Sequence, residues 1–170
     1  TIHVRGLCNG SQINAYIKVA RQKGADTGNE MSILPQFSSA TVPSVIDCSL
    51  KGTPFLVTQE LPGERLSTIV GENSNMESLS YMAEYGAALA KIHGMDIQAK
   101  PVKDRKFFHA PSDALLESLK QEHLKGLFPT SMTVTSPCFC HGDFHYANVL
   151  WENHHISGIL DFELSGYGCK

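Results

Sequence analysis

His141-Gly142-Asp143-Phe144-His145-Tyr146-Ala147-Asn148-Val149-Leu150-Trp151 sets an aspartate and an asparagine five residues apart in a loop that runs into an apolar strand. A turn at Glu152-Asn153-His154-His155 follows, and Ile156 to Leu160 reads as a second strand that delivers Asp161. The side-chain oxygens of Asp143, Asn148 and Asp161 are therefore predicted at one end of a β-hairpin. Two carboxylates beside apolar strands are costly to bury without a metal or other partners. His154 and His155 fall in the turn and read as solvent-exposed.

Phosphoryl transfer needs such a set: a carboxylate to orient the attacking hydroxyl and accept its proton, and hard oxygen ligands to hold Mg²⁺ against the phosphates. The Asp-x-x-x-x-Asn step matches the catalytic loop of protein kinases, and the apolar-Asp-Phe step at Leu160-Asp161-Phe162 matches their metal-binding element. Asp143 is then the catalytic base, with Asn148 and Asp161 on the metal.

Upstream, the first sixty residues read mostly as strands. Thr1 to Leu7 and Gln12 to Ala20 are β-prone runs around the polar turn Cys8-Asn9-Gly10-Ser11, a hairpin pattern. Asp26 to Ser38 is predicted helical, with Thr27 and Glu30 at capping-box spacing and Pro35 placed to kink or end it. Val45 to Leu50 and Pro54 to Thr58 read as two further strands. Glu60-Leu61-Pro62-Gly63 is a turn or linker, and the pattern beyond it turns helical. Ser74 and Glu77 form another capping box, and Leu79, Met82, Ala83, Gly86, Leu89, Ala90 and His93 recur at the spacing of a buried helix that Gly94 closes. Ser112 to Lys125 is predicted as a second helix, with Leu115, Leu116 and Leu119 on one side and Gly126 as its stop.

The expected fold is α+β and two-lobed. A strand-rich lobe over residues 1–59 joins through a hinge at 60–63 to a helical lobe over 64–170, with a ligand cleft where they meet. The chain of 170 residues opens at Thr1 and stops soon after its most informative segment, which reads as a piece of a longer protein with its helical lobe truncated at the C-terminus.

HGDFHYANVLW followed by ISGILDFE resembles the aminoglycoside phosphotransferase and choline kinase superfamily, whose members have the protein-kinase-like fold and carry HGDxxxxN where protein kinases carry HRDxxxxN. Other segments fall in the family's order. Tyr16-Ile17-Lys18-Val19 resembles the strand whose lysine pairs with ATP phosphates, and Glu30 is its partner. Phe55 to Gly63 resembles the interlobe hinge, where the backbone of Gln59 and Leu61 would meet adenine. Gly86-Ala87-Ala88-Leu89-Ala90-Lys91-Ile92-His93 resembles the helix ending in Ile-His. The resemblance implies transfer of the γ-phosphate of ATP, with Mg²⁺, to a hydroxyl of an aminoglycoside-like antibiotic or a choline-like or sugar-like metabolite. It also implies a phosphate-cradling role for Gly10 and Ser11, although Leu7 to Gln12 contains no G-x-G-x-x-G.

Simpler readings stand beside these. Lys18 alternates with apolar neighbours as a solvated strand lysine would, and Glu30 could serve only as a helix cap. His141 and His145 read as holders of the loop backbone. Cys138-x-Cys140-His141, with His145, invites a zinc site, but no second pair at finger-like spacing completes it. Asp113, Glu117 and Glu122 could meet a cationic acceptor, or be the wet face of a helix.

Composition excludes other classes. A formal charge of -3 with scattered Lys and Arg lacks the basic cluster that a nucleic-acid binder needs. No apolar run is long enough to span a bilayer and no signal segment opens the chain, so a cytoplasmic location is the default expectation. Five irregularly spaced cysteines fit reduced thiols better than a disulfide framework. Two alternatives remain: a nucleotide-binding module without activity, and a metal-dependent phosphoesterase suggested by Asp143-x-His145.

Overall fold

The computed structural model describes residues 1–20, 27–71, 77–101, 111–127 and 137–168. The predicted hairpin is present: β1 (Ile2–Cys8) and β2 (Ser11–Val19) pair antiparallel from Ile2↔Ile17 to Cys8↔Ser11. Asn9 and Gly10 turn the chain with φ of 49° and 82°. Two successive left-handed residues give the tight turn whose twist matches that of the strands. β3 (Val45–Ser49) and β4 (Phe55–Gln59) complete a sheet of order β1-β2-β4-β3. Before β3, helix α1 (Thr27–Ile33) gives way to a 3₁₀ turn at Leu34–Gln36. Pro35 therefore ends the helix, because it has no N–H for another α-helical bond. The predicted start at Asp26 lies outside the described residues.

The second half begins with β5 (Glu64–Arg65) and α2 (Leu66–Val70), followed by α3 (Glu77–His93), α4 (Asp113–Ser118) and β6 (Cys138–Cys140). The hairpin β7 (Val149–Glu152) and β8 (His155–Ile159) and the short β9 (Gly166–Gly168) end it. β5, β7 and β8 form one small sheet, and β6 with β9 another. The whole is α+β, with a strand-rich first part and a helical second part. No helix among the described residues is long and apolar enough to cross a membrane.

Two expectations need correction. The α3 helix is not buried all round: Leu79 is 60% exposed, Ala83, Gly86 and Ala90 face solvent, and Ile92 is the residue it places in the core. Its packed face runs through Tyr81, Tyr85, Ala88 and Ile92, since small residues at helical spacing mark two stripes and one of them meets the β-sheets. The helix predicted from Ser112 to Lys125 is also broken. Ser112 caps it, its hydroxyl accepting from Leu115 N–H, but α4 ends at Ser118 and Lys120 turns left-handed at φ 55°. A 3₁₀ turn at Glu122–Leu124 precedes Gly126, and of the three leucines Leu116 alone is buried.

One core cluster joins the two parts. Ile33, Leu34, Val42 and Leu56 from the first interlock with Ile92, Ile97, Phe139, Ile159 and Phe162 from the second. At the junction Gly63 has φ 106°, and Ser157 Oγ donates to Pro62 O at 2.6 Å. A Cβ on Gly63 would lie 2.6 Å from Trp151 O, so the chain passes the β7–β8 hairpin where only glycine fits.

Candidate active site

Lys18 lies at the centre of the site. It projects from β2 into a ring of acids: Nζ is 2.6 Å from Glu30 Oε2 and 2.9 Å from Asp161 Oδ1, with Glu163 Oε2 at 3.9 Å. Burial works against its charge, yet Glu30 and Asp161 more than offset this and raise the ammonium above its ordinary pKa. The same burial raises the Glu30 carboxyl above the usual carboxylate range, and Lys18 draws it only part of the way back. The second oxygen of Glu30 accepts the N–H of Phe162 at 3.2 Å. Its carboxylate thus ties Lys18 to the segment that follows β8, a connection that a helix cap would not make.

Asp161 has φ 66° and ψ 66°. A left-handed non-glycine residue is uncommon and costs roughly 1 kcal/mol or more, so the surroundings must hold it there. Several side chains do. Asn29, buried on α1, donates both amide hydrogens across to this segment, to Glu163 O at 2.9 Å and Ser165 O at 2.8 Å. Ser165 Oγ donates to His141 O at 2.8 Å.

The loop from His141 to Asn148 is held through its backbone at several points. Asp143 N–H donates to His141 Nδ1 at 3.3 Å, which leaves Nε2 as the protonated nitrogen, and this donates to Leu160 O at 2.9 Å. Burial holds the His141 pKa down at about 4, so the ring is neutral and works as a two-sided strut. Tyr85 OH donates to Phe144 O, and Asn148 Nδ2 donates to Asp143 O at 3.0 Å. His145 Nδ1 accepts the N–H of Ala147, leaving its Nε2 at 3.6 Å from Asp143 Oδ2. Asn148 O accepts the N–H of Leu160, which joins the loop to the strand before Asp161.

A cavity of about 400 Å³ lies between the two parts, lined by Lys18, Glu30, Gln59, Leu61, Asn148 and Asp161 among others. Six of the residues predicted for the site are thus brought together. Asp143 sits beside Asn148, at 3.5 Å from its Nδ2. The Gln59 N–H is already held by Ser44 O at 3.0 Å, so its amide is not available to a ligand. Gly10 and Ser11 are not brought to the cavity and their predicted role is withdrawn. They form the far tip of the β1–β2 ribbon, seven residues from Lys18 along the strand or roughly 23 Å, and a Cβ on Gly10 would meet nothing within 4 Å. The antiparallel register puts the other end of the ribbon, at Thr1 and His3, next to Lys18.

The family model described as the phosphotransferase enzyme family, APH, matches residues 16–169. The chain belongs to the phosphotransferase enzyme family. This phosphotransferase also shares its fold with a solved structure titled as the streptomycin-ATP-APH(2")-IIa ternary complex, at a TM-score of 0.60 and 17% identity, over 99% of this chain and 67% of that one. No curated protein matches the chain.

Several residues around the phosphotransferase site carry no signal in the sequence. Asn29 precedes Glu30 and reads as an ordinary helix residue, and only the fold reveals that its amide spans to Glu163 and Ser165. Glu163 and the cavity residues His3, Tyr16 and Arg65 are equally silent. For Asn29→Ala we expect a loss of about 2 kcal/mol in denaturant unfolding, since two carbonyls lose their donor in a buried setting. The substitution should also lower turnover more than it lowers ATP affinity, because the segment it releases carries Asp161. A variant of wild-type stability would show that these two bonds contribute nothing.

Proposed function

We propose that this phosphotransferase moves the γ-phosphate of ATP to a hydroxyl of a small polar molecule, with Asp143 as the base, Lys18 on the nucleotide phosphates and Glu30 orienting Lys18. The observation that carries the reading is the contact of Lys18 with both Glu30 and Asp161, residues brought from three distant parts of the chain. An ammonium ringed by acids at the floor of an interlobe cavity is a fixed positive point to which phosphate oxygens can bind. Gln59 through its carbonyl, and Leu61, would meet the adenine, with the hinge at 60–63 as the boundary between the lobes.

The donor set fits a hard divalent cation. Asp143 O holds the Asn148 amide nitrogen, which leaves the amide oxygen as the group that Asn148 can offer, and Asp161 contributes a half-exposed carboxylate. Asn148 and Asp161 would hold Mg²⁺, which when bound neutralises phosphate charge. The chain's own contribution is positional: Asp143, with its backbone pinned on both sides, presents a part-exposed carboxylate that can take a proton from an acceptor hydroxyl.

The test is an ADP-release screen of the protein against antibiotics, choline and sugar alcohols, with Lys18→Met as control. Acceptor-dependent ADP release that falls at least on the order of 10²-fold in the control is the expected result. ATP binding without transfer to any acceptor would instead establish an inactive nucleotide-binding module. Hydrolysis of a model phosphate ester without ATP would favour the phosphoesterase alternative.

A further inference from the structure

Cys138 and Cys140 alternate on β6, so their side chains leave one face of the strand while Phe139 enters the core from the other. Both thiols are buried, and their sulfurs lie 3.8 Å apart. The residues directly opposite them on β9 are Gly168 and Gly166. The cross-strand positions on the thiol face therefore carry no side chain, which leaves room beside the two sulfurs. The end of α3 faces this spot. His93 is its last residue, and one ring nitrogen and the two sulfurs all lie within 4.8 Å of one another. The ligand set suggested by sequence alone is not the one the fold assembles: His141 spends both ring nitrogens on backbone groups, and His93, 45 residues upstream of Cys138, takes its place.

We propose that His93, Cys138 and Cys140 form a Zn²⁺ site that ties the end of α3 to β6, directly ahead of the loop that carries Asp143. Two thiolates bound to a tetrahedral zinc at about 2.3 Å each are about 3.8 Å apart, the separation these sulfurs already have. A disulfide fits less well. Alternate residues of a strand have Cα atoms roughly 6.6 Å apart, at the upper limit of what an unstrained bridge spans. The imidazole, half-buried at the rim, gives the ion a way in, and the carbonyl end of a long helix favours positive charge. On binding, each thiol gives its proton to solvent and its sulfur lone pair to the metal, with no change in oxidation state. Three protein ligands leave a fourth position for water. Because Cys140 is followed at once by His141, the strut of the loop, occupancy should stiffen the segment that holds Asp143.

The experiment is Co²⁺ and Zn²⁺ titration of the chelator-treated, reduced protein. One equivalent of Co²⁺ should give thiolate-to-cobalt charge-transfer absorption, and one equivalent of Zn²⁺ should displace it and raise the melting temperature. His93→Ala should weaken Zn²⁺ binding at least on the order of 10-fold, and Cys138→Ser should abolish the band. Asp161→Ala should leave it unchanged, which separates this site from the proposed nucleotide site. Should Cys138→Ser fail to fold, protection of the wild-type Cys138 and Cys140 thiols from alkylation by Zn²⁺, located by peptide mapping, replaces it. Absence of the band in the wild type, its persistence in a folded Cys138→Ser variant, or unprotected thiols would each overturn the proposal.

Discussion

Asp143→Ala is expected to lower turnover at least on the order of 10²-fold while leaving the fold and ATP affinity close to those of the unaltered protein. The separation of these effects follows from how the residue is held. The fixed contacts of Asp143 run through its backbone, its N–H to His141 Nδ1 and its carbonyl from Asn148 Nδ2, and both survive the substitution. Its carboxylate is about one-third exposed, and its neighbours Asn148 Nδ2 and His145 Nε2 stand off at 3.5 and 3.6 Å. Truncation therefore leaves the backbone contacts that hold the loop in place. Asp143→Asn makes the same test with the shape retained. Single-turnover ADP release and a thermal melt on both variants measure the two quantities, and turnover within a few-fold of wild type would remove Asp143 from the chemistry.

The largest effect on stability is expected at Gly142, with a loss of about 3 to 5 kcal/mol for Gly142→Ala. Two costs combine there. The residue has φ 80°, where any side chain is strained by roughly 1 to 2 kcal/mol, and its new Cβ would overlap the Leu164 carbonyl, 2.6 Å from the carbon. Leu164 O belongs to the segment after Asp161, held by Asn29 on either side, and cannot withdraw cheaply. Gly126→Ala isolates the first cost, since Gly126 has φ 79° but nothing within 4 Å of its Cβ position. Unfolding in denaturant should place the two variants about 2 to 3 kcal/mol apart. Equal losses would mean that backbone conformation alone sets the requirement for glycine.

Part of the site is legible in the sequence and part is not. The spacing of Asp143, Asn148 and Asp161 belongs to a local loop and hairpin and can be read from the residues, whereas Lys18 alternates with apolar neighbours as any strand lysine does and is singled out by the family resemblance. Pairing across the chain was not readable. Glu30 satisfies the spacing rule of a helix cap, yet its carboxylate goes to Lys18 and Phe162. Gly10 and Ser11 take a phosphate role from the family resemblance, but strand geometry carries their turn away from the cavity. The exposed residues of α3 and the exposed Leu115 and Leu119 have one cause: apolar spacing states that a helix has a face, but which stripe is covered depends on what lies opposite. The break at Lys120 has no sequence signal, since lysine is a good helix former.

The apolar seam between the sheet half and the helix half limits how this molecule can breathe. Leu56 and Ile33 interdigitate with Phe139, Phe162 and Ile92, so swinging the halves widely apart would wet all of them together, at about 1.5 to 3 kcal/mol for each large side chain. Under the proposed function, a nucleotide would then enter by small movements of lining residues such as Thr1, His3 and Arg65. The shared core should make the halves melt as one cooperative unit, so that damage to either is felt by the other.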